Sequence, residues 1–215
     1  MSLTEYLYYY GAILWNEALQ HALLAAVAVL LASVIGFAAG VATWHRRAPA
    51  NAVIAVCGAL LTIPSLALFG VLIPLLGLGW TPSVVALVLY SLLPIVRNTI
   101  VGLRAVDGAI VESARGMGLG RLRLLVRIQL PLAWPYILAG IRTATQMAIA
   151  LAVVAAYVDG PGLGNPIFDG LNQLGAVNAV NEALTGTVAV VLVALAFDLF
   201  YVLLRRLTTP RGLRV

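Results

Sequence analysis

Few residues in this chain could do chemistry, and they are far apart. Eight carboxylates, two histidines and one cysteine make up its acid–base and nucleophilic repertoire. Lysine does not occur, so a GxxxxGK[ST] phosphate loop cannot exist here. His21 and His45 form no Cys/His cluster with metal spacing, and Cys57 lies alone in an apolar tract. A GxSxG nucleophile elbow is also missing. Hydrolytic chemistry needs a nucleophile, a base and a stabiliser, or a metal, converging on one point. No such constellation can be assembled, so the chain is expected to be a non-enzyme that binds no cofactor and no metal of its own.

The remaining polar chemistry sits inside apolar sequence. Arg142 and Asp198 are charges within otherwise hydrophobic tracts. Arg142 is about seven residues past Pro135 and Asp198 about seven before Arg205, which puts both at similar depth. An unpaired charge there is costly, so an Arg142–Asp198 ion pair or a shared polar cluster is expected. The alternative has Arg142 reaching the headgroups while Asp198 finds water. Ser65, Tyr90, Ser91, Asn98, Thr143, Thr145 and Gln146 could border a path or bond neighbouring helices. The aromatic residues are too scattered to form a cage for a quaternary amine.

The elements that must position these groups are membrane helices. Of 215 residues, 62% are hydrophobic and only 10% charged, whereas a soluble domain keeps about a quarter charged. Five spans are read, at about 19–44, 51–76, 80–95, 132–158 and 183–204, in an all-α integral membrane bundle. All thirteen basic residues are arginines. All but Arg142, which lies within the fourth, follow the first, third and fifth spans, and the alternate connections have none. Positive-inside bias then places the N-terminus outside and the C-terminus in the cytoplasm. The net charge of +5 is accounted for in this way, without a nucleic-acid partner. Residues 1–18, with Tyr6, Tyr8, Tyr9, Tyr10 and Trp15, are expected as an outer interfacial segment. Residues 19–204 form one transmembrane domain, and 205–215 a cytoplasmic basic tail.

Within the spans, Pro64, Gly70 and Pro74 interrupt the second and Pro94 the third, as kinks that could line a transport path. Gly36 and Gly40 form a GxxxG step suited to close packing within one subunit. In the outer loop, 159–182, Asn165 is expected to cap a short helix with Pro166 at its first position. Ile167, Phe168, Leu171 and Leu174 would share its apolar face.

The connection 105–131 is expected as two short helices joined at Gly116, Gly118 and Gly120. Asp107 would cap the first, and a second amphipathic stretch, Arg121 to Gln129, would stop at Pro131. Ala109, Ser113 and Ala114 would permit close approach of a partner. Spacing alone leaves this docking role level with a basic loop lying on membrane lipid headgroups.

Glu112-Ser113-Ala114, then Gly118 after three residues, then Ile128-x-Leu130-Pro131 after nine more, resembles the EAA signature of ABC importer permeases. Serine stands where alanine is usual. TIPSLALFGVLIPLLGLG (62–79), LYSLLPIVRNTIVGL (89–103) and PYILAGIRTAT (135–145) are similar to the osmoprotectant branch of that family. DGPGLG (159–164) departs from its more glycine-rich run.

The resemblance implies a type I permease core whose loop 107–131 couples to separate ABC ATPase subunits that carry the ATP and Mg. It also implies a second permease copy or paralogue and an extracellular solute-binding protein. The bacterial plasma membrane is the implied location, and glycine betaine, choline or carnitine the implied cargo. The competing readings are a methionine or other amino-acid importer permease, and an ATP-independent channel or osmotic sensor. The candidate coupling residues are Glu112, Ser113, Ala114, Gly118, Ile128, Leu130 and Pro131. The candidate path or polar-cluster residues are Pro64, Ser65, Tyr90, Asn98, Arg142, Thr143, Gln146 and Asp198.

Overall fold

A computed structural model describes residues 2–208, and every regular element among them is helical. α1 spans Leu3–Thr43, α2 Arg47–Thr62, α3 Ser65–Leu76 and α4 Trp80–Arg104. α5 is Gly108–Gly116, and α6, Arg121–Leu124, runs through a π-turn at Leu125–Gln129 into α7, Leu130–Val154. A 3-10 turn at Ala155–Val158, α8 at Gly164–Asn172 and α9 at Ala179–Thr208 complete the chain. Arg211 and Arg214 of the expected basic tail lie outside the described residues, while Arg205 and Arg206 belong to the last turn of α9.

Four helical stretches are long and apolar enough to cross a membrane, and α2 with α3 forms a bent pair that could make a fifth. α4 is the centre of the bundle. Its Tyr90, Ile95, Val96, Thr99, Ile100 and Leu103 are all buried, which a helix in this position requires because α1, α2, α3 and α7 all pack on it. Small residues set the spacing. A Cβ on Gly36 would meet Ile95 at 3.0 Å, and one on Gly40 would meet Thr99 at 2.7 Å. The GxxxG step therefore packs inside one chain. On the other side of α4, a Cβ on Gly140 of α7 would stand 2.7 Å from the Pro94 carbonyl.

Three expectations about the elements need correction. Residues 3–18 do not form a separate interfacial segment: they are the first turns of α1, whose 41 residues amount to about 60 Å at 1.5 Å per residue. The capping box between Ser2 and Glu5 starts that helix cleanly, and it runs without a break to Thr43.

The second span is broken, with α2 and α3 meeting at 94°. Pro64 drives Ile63 into an extended conformation (φ −68°, ψ 127°), and α3 begins on the far side. The third correction concerns Pro131, which does not stop the helix before it. In the π-turn the Leu130 amide donates to the Leu125 carbonyl, and this wider register carries the backbone past a residue that has no N–H to give.

The outer helix exists, with two differences. α8 starts at Gly164, after Leu163, so Asn165 is inside it, where its side chain donates to the Gly160 carbonyl at 3.5 Å. Its inward face is made of small residues. A Cβ on Gly170 would meet the Ala179 carbonyl at 2.5 Å, and Ile167 lies over Gly186 of α9. Leu171 and Leu174 remain exposed.

Candidate functional site

One face of α7 gathers Arg142, Thr143 and Gln146 of the expected path residues. Ala139, Arg142, Thr143, Gln146, Met147 and Ala150 recur at three- and four-residue steps, so they line one side of the helix. This side borders two clefts. The first, about 340 Å³, is lined by Pro135, Arg142, Thr143, Gln146, Tyr201 and Arg205, among others. The second, about 330 Å³, is lined by Ile63, Ser65, Tyr90, Met147 and Ala150 with two leucines. Consecutive residues, Gln146 and Met147, line one cleft and the other.

Arg142 and Asp198 meet across α7 and α9. One Nη of Arg142 is 2.6 Å from Asp198 Oδ1, and Nε donates to the same oxygen at 2.7 Å. Gln146 adds a third donor to that oxygen at 3.3 Å. The pair is only part-buried, at 40% and 31% side-chain exposure. Beneath it, the Thr145 and Tyr201 hydroxyls share a buried hydrogen bond of 2.8 Å. Tyr201 was not a candidate from sequence. Asp198, Tyr201 and Arg205 at steps of three and four could have disclosed it, since they share a face of α9.

Pro64, Ser65 and Tyr90 come together at the break between α2 and α3. The carbonyl of Ile63, left without a helical donor there, accepts from the Tyr90 hydroxyl. A broken helix in lipid needs such a substitute donor. Asn98 is not brought to this face. It donates to the Pro94 carbonyl at 2.8 Å and packs against the backbone of Gly140, so it belongs to the α4–α7 contact. Ser91 is fully buried in the same region, away from both clefts.

His21 is a second site residue that sequence pattern does not single out. It is completely buried, its Nε2 lies 3.1 Å from the Ile149 carbonyl, and Gly162 of the loop before α8 rests on its ring. Gly162 has φ +119°, and a Cβ there would stand 2.8 Å from His21 Cβ. Both constraints require glycine, which explains part of the DGPGLG run. That run is held further by the Gly79 amide, which donates to the Val158 carbonyl at 2.7 Å.

At the opposite end, α5 projects from the bundle. The Asp107 carboxylate caps it by accepting from the Ala109 amide at 2.9 Å. Gly118, at φ +82°, makes the turn that follows it, and nothing lies within 4 Å of a Cβ there. Glu112 and Ser113 are exposed, as are Ala109 and Ile110. Ala114 corrects the expectation of a small-residue docking face: at 2% exposure it is turned into its own chain. Ile128 and Leu130 are half-buried at the π-turn, and Pro131 is exposed. The structure thus separates the candidates into a projecting helix and, elsewhere, a polar face on α7.

Residues 32–211 match the family described as binding-protein-dependent transport system inner membrane component. The chain belongs to that family. This permease is 37% identical to the glycine betaine/carnitine/choline transport system permease protein OpuCB of Bacillus subtilis, covering 95% of this chain and 92% of that one. It is 38% identical to the osmoprotectant import permease protein OsmW of Salmonella typhimurium, covering 91% of each. Its fold is that of inward-facing structures of the MetNI methionine ABC transporter, with a TM-score of 0.78 at 20% identity, over 92% of this chain and 96% of that one. The permease is accordingly a multi-pass protein of the bacterial inner membrane.

Proposed function

We propose that this permease is the membrane-spanning subunit of an ATP-binding-cassette importer for osmoprotectants of the quaternary-amine type, such as glycine betaine, choline or carnitine. The observation that carries the reading is α5, a capped helix outside the apolar bundle on which Glu112 and Ser113 are exposed. An ATP-independent channel or sensor has no use for such a handle. The cargo rests on the activities of relatives that match along nearly the whole chain.

In this reading the chain crosses the membrane five times, with α2 and α3 together as one broken crossing. Its N-terminus faces outside and its C-terminus the cytoplasm. The arginine-bearing ends support that arrangement, since Arg104 donates to the Trp44 carbonyl at 3.0 Å and Trp134 to Thr208 at 2.8 Å. ATP and Mg bind to separate ATPase subunits, whose closure moves α5 and, through the π-turn, α7. An extracellular binding protein delivers solute near α8.

Arg142, Thr143, Gln146 and Asp198 then border the path, together with Ser65 and Tyr90 at the helix break. A half-exposed ion pair facing lipid is unfavourable, which supports a second permease, identical or related, standing opposite α7. The test is reconstitution with the ATPase and binding protein, measuring ATP-dependent uptake of labelled betaine, choline, carnitine and methionine. Uptake of a quaternary amine is expected; uptake of methionine alone would transfer the chain to amino-acid import.

A further inference from the structure

The end of the bundle where α1, α2, α4 and α5 converge holds a cleft of about 410 Å³ that the transport reading does not use. Three of its lining residues are arginines from three helices: Arg47 of α2, Arg104 of α4 and Arg115 of α5. His45, on the turn between α1 and α2, lines it too. Burial, and then the nearby Arg121 charge, hold that imidazole below its ordinary value. No carboxylate among the described residues forms an ion pair with any of these arginines. Like charges brought together by folding, without a counter-charge, raise the energy of the fold.

One more group in the wall lacks a partner. The Trp44 indole N–H is buried and makes no hydrogen bond among the described residues. Gln129, at 5% exposure, lines the cleft as well. A buried polar group without a partner costs about 1–3 kcal/mol, so a ligand that satisfies it binds with that advantage. Guanidinium and indole groups can only donate, and an amide can donate as well as accept. The ligand that answers all of them is an acceptor-rich anion, and the planar arginine fork matches phosphate oxygens.

The position narrows the source. The cleft opens where the apolar lengths of α1 and α4 end, and Leu103, Val106 and Val111 form part of its wall. A tryptophan at the rim and basic groups at that depth suit a lipid headgroup. We propose that this cleft binds a phosphate-bearing anion, presented by an anionic phospholipid, whose phosphate ties the α1–α2 turn and the end of α4 to α5. Because α5 is the helix that projects from the bundle, the bound headgroup would steady it against the bilayer. The inference does not depend on which solute is carried, or on α5 gripping an ATPase.

The test is native mass spectrometry of the full-length chain titrated with phosphatidylglycerol or phosphatidylcholine. Phosphatidylglycerol should be retained preferentially. The triple change Arg47→Gln, Arg104→Gln, Arg115→Gln should remove the preference, at about five-fold per charge. A matched triple, Arg46→Gln, Arg123→Gln, Arg127→Gln, should keep it. The single change Arg47→Gln, at the exposed start of α2, should lower retention about five-fold on its own, even if the triple variant does not fold.

Displacement of the lipid by millimolar inorganic phosphate, with the same arginine dependence, would uphold the anion cleft and assign it to a soluble source. Equal loss in both triple variants, or loss in neither, overturns the proposal. So does unchanged lipid retention together with lost co-purification of an ATPase, since the cleft would then meet an acidic protein surface.

Discussion

Glycine is used in opposite ways at the α4–α7 contact and in the α5 turn, and the difference separates what the chain does for itself from what it offers to others. At Gly140 and Gly102 a Cβ would strike backbone or side chains of the facing helix at 2.6–3.0 Å. Helices packed without a hydrophobic driving force depend on such close approach. At Gly116, Gly118 and Gly120 a Cβ would meet nothing within 4 Å. There glycine serves the backbone path, at Gly118 through a left-handed conformation. The first region is finished within one chain, and the second ends in a surface that no described residue covers.

Substitutions should break the two regions differently. Gly140→Val is expected to have the largest effect, because the Pro94 carbonyl and the Asn98 side chain cannot both retreat. A loss of about 3 kcal/mol or more should appear as a collapse in the yield of monodisperse protein. Gly118→Val should leave the fold intact but cut ATP-driven uptake about ten-fold, since a β-branched residue at that φ carries about 1–3 kcal/mol of strain. If both variants lose folded protein alike, the distinction between core and handle fails.

Arg142→Ala sharpens the comparison from a third position. The pair bridges α7 and α9 at a part-exposed face, so its loss should cost about 1–2 kcal/mol, below the about 3–5 of a fully buried pair. The exchange Arg142→Asp with Asp198→Arg should regain part of that in thermal melting, and a double exchange no better than either single change would dissolve the partnership. Gly116→Ala should change melting by no more than about 0.5 kcal/mol, because its site is open and its backbone φ is not left-handed.

Much of this was legible in the residues. Composition and the spacing of arginines gave the helical tracts. The Asp107 cap and the glycine turn gave α5, and two charges at equal depth gave Arg142–Asp198. The sequence was silent where backbone geometry answered to tertiary neighbours. Pro64 could kink or break, and the break depended on Tyr90 being placed to satisfy Ile63. Pro131 signalled a stop, yet a π-turn accommodated it. Ala114 read as part of a docking face because helical period alone does not say which side of a short helix is inward. His21 and Tyr201 were missed for a related reason: the partner of each lies more than fifty residues away in sequence.

Cross-linking decides whether α5 is held by a partner on the cytoplasmic side. Cysteines placed at Ser113 and Met117, in a Cys57→Ala background, would be treated with a short bifunctional thiol–amine reagent in membrane vesicles containing the whole transporter. The account predicts an adduct between this permease and an ATPase subunit, formed at both positions and protected from impermeant reagents added outside cells. Labelling of either cysteine from the outside, or adducts that never include an ATPase subunit, would contradict it.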